Sequence, residues 1–227
     1  MLCKAQRRHA RQVFPKPLGG FFIAQNFVIE WRYMAEYKKG WGEYYQITKA
    51  KPPRKLLVEA LEYVVKKDKA IDIGAGALRD TKYLLERGFD VTAVDQSPLI
   101  VEMATEISSD KLHAIVSSYA DLAFPKEAFD LASAMYALPF NPPESFDEMF
   151  KRVKGSLVKG GIFCGQLFGD HDEWKDNSKM TFHTSKEAKE LFSDMEMIKF
   201  EEKEEDDFTA NGTAKHWHFF NIIARKV

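Results

Sequence analysis

The run Ile71-Asp72-Ile73-Gly74-Ala75-Gly76-Ala77-Leu78 constrains this chain more than any other: a short apolar strand ending in two glycines one residue apart. Glycine has no Cβ, so a turn built on two of them adopts left-handed backbone and lets a ligand approach the main chain. Between a strand and a helix, such a turn also sets the unpaired N–H groups of the helix start beside that ligand. It belongs in a parallel α/β sheet, where each connection is long enough to hold a helix.

The surrounding pattern repeats that unit. Pro53 is expected near the start of a helix whose buried stripe is Leu56, Leu57, Ala60, Leu61 and Val64. Ala70–Ile73 reads as the first strand, and Asp80 as the cap of the next helix, which Gly88 ends. Phe89–Val94 follows as a strand, and Pro98 opens a helix carrying Ile100, Met103 and Ile107. Leu112–Val116, Phe129–Ala134 and Ile162–Phe168 complete five strands, with a helix over Phe146–Leu157 before the last. The rhythm then breaks. Ser185–Phe192 reads as a helix with Ser185 as N-cap. Glu196–Lys203 and Lys215–Arg225 read as an antiparallel pair joined by an acidic loop, Glu204-Glu205-Asp206-Asp207, leading to Asn211-Gly212.

Composition narrows the function. Among 227 residues, 33 Lys and Arg face 34 Asp and Glu, a formal charge of −1, which excludes a surface built throughout to neutralise nucleic-acid phosphates. No apolar run approaches the roughly 20 residues that span a bilayer. Cys3 and Cys164 cannot form a disulfide framework. Residues 1–33 are basic, with Glu30 as the first acid, and are expected to be a poorly ordered extension. The domain proper is expected over 34–227. A cytoplasmic protein is expected, with an organelle as the alternative if the basic stretch is a targeting segment.

A second carboxylate sharpens the reading of the glycine turn. Asp95 ends the next strand, nineteen residues after Gly76, where an acid accepts hydrogen bonds from ribose hydroxyls. A dinucleotide fingerprint needs a third small residue at position 79, and Arg79 stands there. Asp72, immediately before the turn, repels a pyrophosphate and suits a ligand carrying a sulfonium and an ammonium. S-adenosylmethionine fits both features. Two rivals remain, a nicotinamide-dependent oxidoreductase and a non-catalytic cofactor-binding protein.

These motifs resemble the first two of the class I S-adenosylmethionine-dependent methyltransferases. Ser118-Tyr119-Ala120-Asp121, Phe129-Asp130-Leu131 and Val158-Lys159-Gly160-Gly161-Ile162 resemble later segments of that family. The resemblance covers about 54–227. It is nearest to a small-molecule group labelled tellurite-resistance-like, in which Asp172-Glu173-Trp174 and Lys215-His216-Trp217-His218 are familiar. It implies a Rossmann-like, doubly wound sheet, mostly parallel, closed by an antiparallel C-terminal hairpin. It also implies that Gly74, Ala75 and Gly76 pass under the cofactor, with Asp72 at its amino-acid end. Asp95 would hold the ribose, Gln96 would lie beside the adenine, and Met135 and Tyr136 would face the methyl-donor region. Leu78 replaces a frequent third glycine. Ser118 replaces a commonly acidic residue, so adenine contact passes to Tyr119, Ala120 or Asp121.

Methyl transfer is an in-line displacement that needs alignment and desolvation, and a base only if the acceptor must lose a proton. His171, in the loop after the fifth strand, is the candidate base. His216 and His218 share one strand face, and structural or substrate-lining roles are favoured there over a metal site. Trp41, Tyr44 and Tyr45 are candidates for a lid. Tyr136 and Trp174 are candidates to line an apolar pocket for a small-molecule acceptor.

Overall fold

Each parallel strand of the sheet is followed by a segment long enough to cross back over it, and that requirement sets the topology. The computed structural model describes residues 41–227; the basic stretch 1–33 and the expected domain start at 34 lie outside the described residues. Two short helices, α1 (Glu43–Thr48) and α2 (Lys55–Ala60), precede β1 (Lys69–Ile73). Then come α3 (Arg79–Glu86), β2 (Asp90–Asp95), α4 (Leu99–Thr105), β3 (Leu112–Val116) and β4 (Phe129–Ala134). A 3₁₀ turn (Leu138–Phe140) and α5 (Pro143–Ser156) lead into β5 (Leu157–Gly169). The two-residue β6 (Phe182–His183), α6 (Ser185–Glu190), β7 (Met195–Phe208) and β8 (Ala214–Lys226) complete the chain.

The sheet order is β3-β2-β1-β4-β5-β8-β7, with β6 beside β5. Strands β1 to β5 pair in parallel, and β8 runs antiparallel to both β5 and β7. The chain winds outward from β1 to β3, then restarts at β4 on the other side of β1. That reversal opens a crevice at the carboxyl ends of β1 and β4, where open α/β sheets bind ligands. The mostly parallel Rossmann-like sheet with its closing hairpin is the expected architecture.

Apolar layers cover both faces of the sheet. On one side Phe150 packs edge-on against Phe163 and Phe192, at 5.6 and 5.1 Å between ring centroids. On the other, Leu57, Leu84, Phe89, Leu131 and Ile223 are buried together beneath α2 and α3. Each such side chain stabilises the fold by about 1.5–3 kcal/mol. Among the described residues no helix is long and apolar enough to cross a membrane.

Several boundaries depart from expectation for local reasons. Asp80 does not cap α3: Leu78, in left-handed backbone with φ 60°, stands at that position, and Asp80 turns away to Arg54. Thr184, not Ser185, caps α6, accepting from the Glu187 N–H while the Glu187 carboxylate accepts from the Thr184 N–H at 2.8 Å, a reciprocal capping box. Strand β5 begins at Leu157, before Gly160 and Gly161, and a register shift against β4 between Phe129 and Leu131 absorbs the extra residues. The acidic run lies inside β7, and the loop is Thr209–Thr213. Opposite Glu204 and Asp206 stand His218 and His216, so this strand face gains partners across the ladder.

Candidate functional site

The glycine turn is held open by its own backbone geometry. Gly74 has φ +71° and Gly76 φ +52°. The N–H groups of Gly74 and Ala75 both donate to the Val94 carbonyl, at 2.8 and 3.0 Å, which pins the turn across the end of β2. A Cβ added at Gly74 would overlap the Ala137 side chain and stand 2.8 Å from Tyr119 Oη. The main chain therefore passes through a space that only glycine leaves open.

Two buried carboxylates flank the turn. Asp72, on β1, is 2% exposed and accepts from the Thr81 hydroxyl at 2.6 Å. Burial, reinforced by neighbouring Asp80, pushes its pKa up to about 7. Asp95, at the tip of β2, is 7% exposed. Its carboxylate accepts from the N–H of Gly76 at 2.8 Å, from the N–H of Ser97 at 2.8 Å and from the Tyr45 hydroxyl at 3.1 Å. Burial raises its pKa against those three donors. Tyr45 arrives from α1, which closes over the turn: a Cβ on Gly76 would lie 3.8 Å from the Tyr45 ring and 4.0 Å from that of Tyr44.

Beyond the turn, a cavity of about 600 Å³ opens between the start of α2 and the β7–β8 hairpin. Arg54, Arg79, Tyr136, Gln166, Phe219 and Asn221 are among its lining residues. Tyr136 follows β4 in left-handed backbone, φ 55°, and its N–H donates to Gln166 Oε1 at 3.0 Å. Such a backbone is costly for a non-glycine residue and is found where a fold must aim a side chain. Arg54, Gln166 and Asn221 escaped the reading of the sequence, since no local pattern marks them. Arg79 was visible only as a missing glycine.

The remaining expected residues fall in distinct places. Ala75 is buried in the turn and Gln96 is exposed beside Asp95. Ser118 donates to Asp121 at 2.7 Å and accepts that residue's N–H, closing a turn after β3. The Tyr119 ring is buried under Gly74. Met135 lies in the apolar cluster with Leu56 and Leu131, so it packs the core below the crevice. His171 is 60% exposed and faces Glu204, 3.2 Å away. Its ring stacks on His218 at 4.8 Å, which shares a face of β8 with His216, opposite to that of Trp217, Phe219 and Asn221. His171 thus stands across the hairpin from Tyr136 and Gln166. Asp170, His171 and His218 bring ligand-type atoms within 4.8 Å of one another, but both His218 nitrogens are engaged, Nδ1 by the His171 N–H at 3.0 Å and Nε2 by Glu202 at 3.1 Å.

A glycine turn pinned to β2, buried acids on two adjacent strand tips and a crevice at the switch point define the class: an α/β protein with a Rossmann-like nucleotide-cofactor site. Residues 70–161 match the family described as a methyltransferase domain. Among solved structures, TehB from Haemophilus influenzae is similar at 20% identity over 86% of this chain and 67% of its own, with a TM-score of 0.66. The 1,6-didemethyltoxoflavin-N1-methyltransferase of Burkholderia thailandensis, solved with 1,6-didemethyltoxoflavin and S-adenosylhomocysteine bound, is 18% identical over 86% of this chain and 87% of its own, at a TM-score of 0.60. A methyltransferase from Methanosarcina mazei is 20% identical over 74% and 96%, at 0.58. No curated protein matches the sequence. Residues 70–161 thus carry a methyltransferase domain, the kind of domain whose cofactor is S-adenosylmethionine.

The residues present fit that group. The left-handed turn at Gly74 and Gly76 presents main chain without side chains at the end of β1, and the two buried acids match a cation at one end and hydroxyl donors at the other.

Proposed function

We propose that this enzyme transfers a methyl group from S-adenosylmethionine to a small-molecule acceptor. The observation that carries the reading is the pair of buried carboxylates, Asp72 and Asp95, on either side of a turn whose Gly74 leaves no room for a Cβ. Asp72 takes the donor's ammonium, and Gly74, Ala75 and Gly76 run beneath its chain. Asp95 takes the ribose hydroxyls, with Gln96 at the adenine edge and the Ser118–Tyr119 turn behind it. Asp95 already holds three donors, so the Tyr45 hydroxyl yields its place to a ribose hydroxyl.

When bound, S-adenosylmethionine supplies a methyl carbon whose bond to sulfur breaks, the electron pair passing to sulfur, as the acceptor's lone pair bonds to that carbon. The protein aligns the two partners and excludes water. Tyr136, aimed by its left-handed backbone and tied to Gln166, forms the wall between the donor crevice and the cavity. A volume near 600 Å³ lies in the range of small-molecule sites, which supports an acceptor of that size. His171, on the other hairpin face, has no geometric support as the base.

Calorimetric titration with S-adenosylhomocysteine and with NADH tests the donor site: the first binds, and tighter binding of NADH refutes the reading. Transfer of a labelled methyl group into small molecules of a metabolite extract tests the acceptor. Label found only in macromolecules would overturn the small-molecule assignment.

A further inference from the structure

Arg79 carries a charge that the donor site does not use. It opens α3 and lines the 600 Å³ cavity. Its side chain is only 15% exposed, and its Nε is buried with no hydrogen-bond partner. Its ion-pair partner is Asp80, 3.7 Å away, but that carboxylate already accepts the Arg54 N–H at 2.9 Å and bonds the Arg54 guanidinium. One negative charge therefore serves two guanidiniums. Asp72, the other acid acting on them, is held partly protonated near neutral pH by its burial. A largely buried guanidinium with an unpaired Nε is unfavourable, and a planar carboxylate is the group whose geometry matches it.

The rest of the cavity describes what bears that carboxylate. Gln166 Oε1 is taken by the Tyr136 N–H, Gln166 Nε2 donates to Asn221 Oδ1 at 3.0 Å, and Asn221 Nδ2 donates to Glu201 at 2.9 Å. Both amide oxygens are occupied, so each amide has one N–H beyond these bonds to offer; the acids of the lining, Glu59, Glu201 and Glu205, are accompanied there by Lys199 and Lys203. Beside the amides the Tyr136 and Phe219 rings stand 5.7 Å apart at 60°, an apolar wall suited to a flat molecule.

Building on the proposed methyl transfer, we infer that this cavity receives the acceptor, that the acceptor is a small aromatic carboxylic acid, and that Arg79 recognises its carboxylate. The donor also bears a carboxylate. Arg79 lines the cavity, however, while Asp72, Gly74 and Asp95 do not, which favours the acceptor as the source.

The test uses the full chain and calorimetry. S-adenosylhomocysteine is titrated first; protein saturated with it is then titrated with benzoate and, separately, with benzyl alcohol, and the series is repeated on Arg79→Met and Arg79→Lys. Benzoate is expected to bind wild type at least tenfold more tightly than benzyl alcohol. Arg79→Met removes that preference and keeps S-adenosylhomocysteine affinity within threefold, and Arg79→Lys retains part of the preference. Equal binding of the two probes to wild type, or binding of neither, overturns the inference. So does a loss of S-adenosylhomocysteine affinity beyond threefold in Arg79→Met, which assigns the guanidinium to the donor. Failure of wild type to bind S-adenosylhomocysteine removes the methyl-transfer reading itself, and is seen before any benzoate is added.

Discussion

A carboxylate buried at the end of β1 does not ionise freely, and this makes Asp72 the residue through which pH reaches the site. Its pKa near 7 means that a ligand ammonium must first displace a proton. Donor affinity is therefore expected to fall roughly tenfold per pH unit below about 7 and to level off above it. Asp72→Asn should be flat over that range, as calorimetry from pH 5.5 to 8.5 can check. The linked effect on the unliganded fold has the opposite sense. Because the folded pKa is raised, the contribution of Asp72 is fully present below about 4, where the unfolded chain is also protonated, and is lost as pH rises from there through about 7. Asp95→Ala should weaken S-adenosylhomocysteine by roughly one to two orders of magnitude, since hydrogen bonds to a charged acceptor are worth about 1.5–3 kcal/mol each. Tyr45→Phe should instead tighten it about fivefold, because a competing hydroxyl of about 1 kcal/mol is gone; weaker binding would place the tyrosine among the ligand's partners.

Between elements, a fully buried ion pair joins β8 to the loop after β5. Lys215 and Asp172 are buried together, with the ammonium 2.6 Å from each carboxylate oxygen. The ammonium also lies over the rings of Trp217 and Trp174, at 3.8 and 4.4 Å, where cation–π attraction adds to the pair. Asp172 in turn accepts the N–H groups of Trp174 and His218, so the pair sets the path of the loop. Lys215→Met should destabilise the protein by about 3–5 kcal/mol in denaturant unfolding, because it strands a buried carboxylate. Lys215→Met with Asp172→Leu should recover most of that loss, and no recovery would show that the aromatic contacts dominate. At α6, Thr184→Ala removes the side-chain half of the capping box, the acceptor of the Glu187 N–H, while the backbone N–H of residue 184 can still donate to Glu187, and should cost about 1 kcal/mol.

For the whole molecule, a ligand seated as proposed, across β1, β2 and the α1 cover, would bind the folded state alone. S-adenosylhomocysteine at about 100 times its Kd should add ~2.7 kcal/mol. For a domain of this size that raises Tm by roughly 5–10 °C in a thermal melt; no shift at high ligand concentration would mean that it does not bind the folded protein. The parallel strands, the glycine turn and the two acids at neighbouring strand tips were legible along the chain. They depend on periodicity and on spacings inside one strand–turn–helix unit, which short-range sterics encode. The fate of Met135, buried in the core, and of His171, turned to the far hairpin face, was not legible. Nor was the chain of amides from Tyr136 through Gln166 to Asn221, whose last link spans 55 residues. Alternation says which face of a strand a side chain takes, but not what it meets there. That depends on strand order and on the register between segments far apart in the chain, and only the closed sheet determines both.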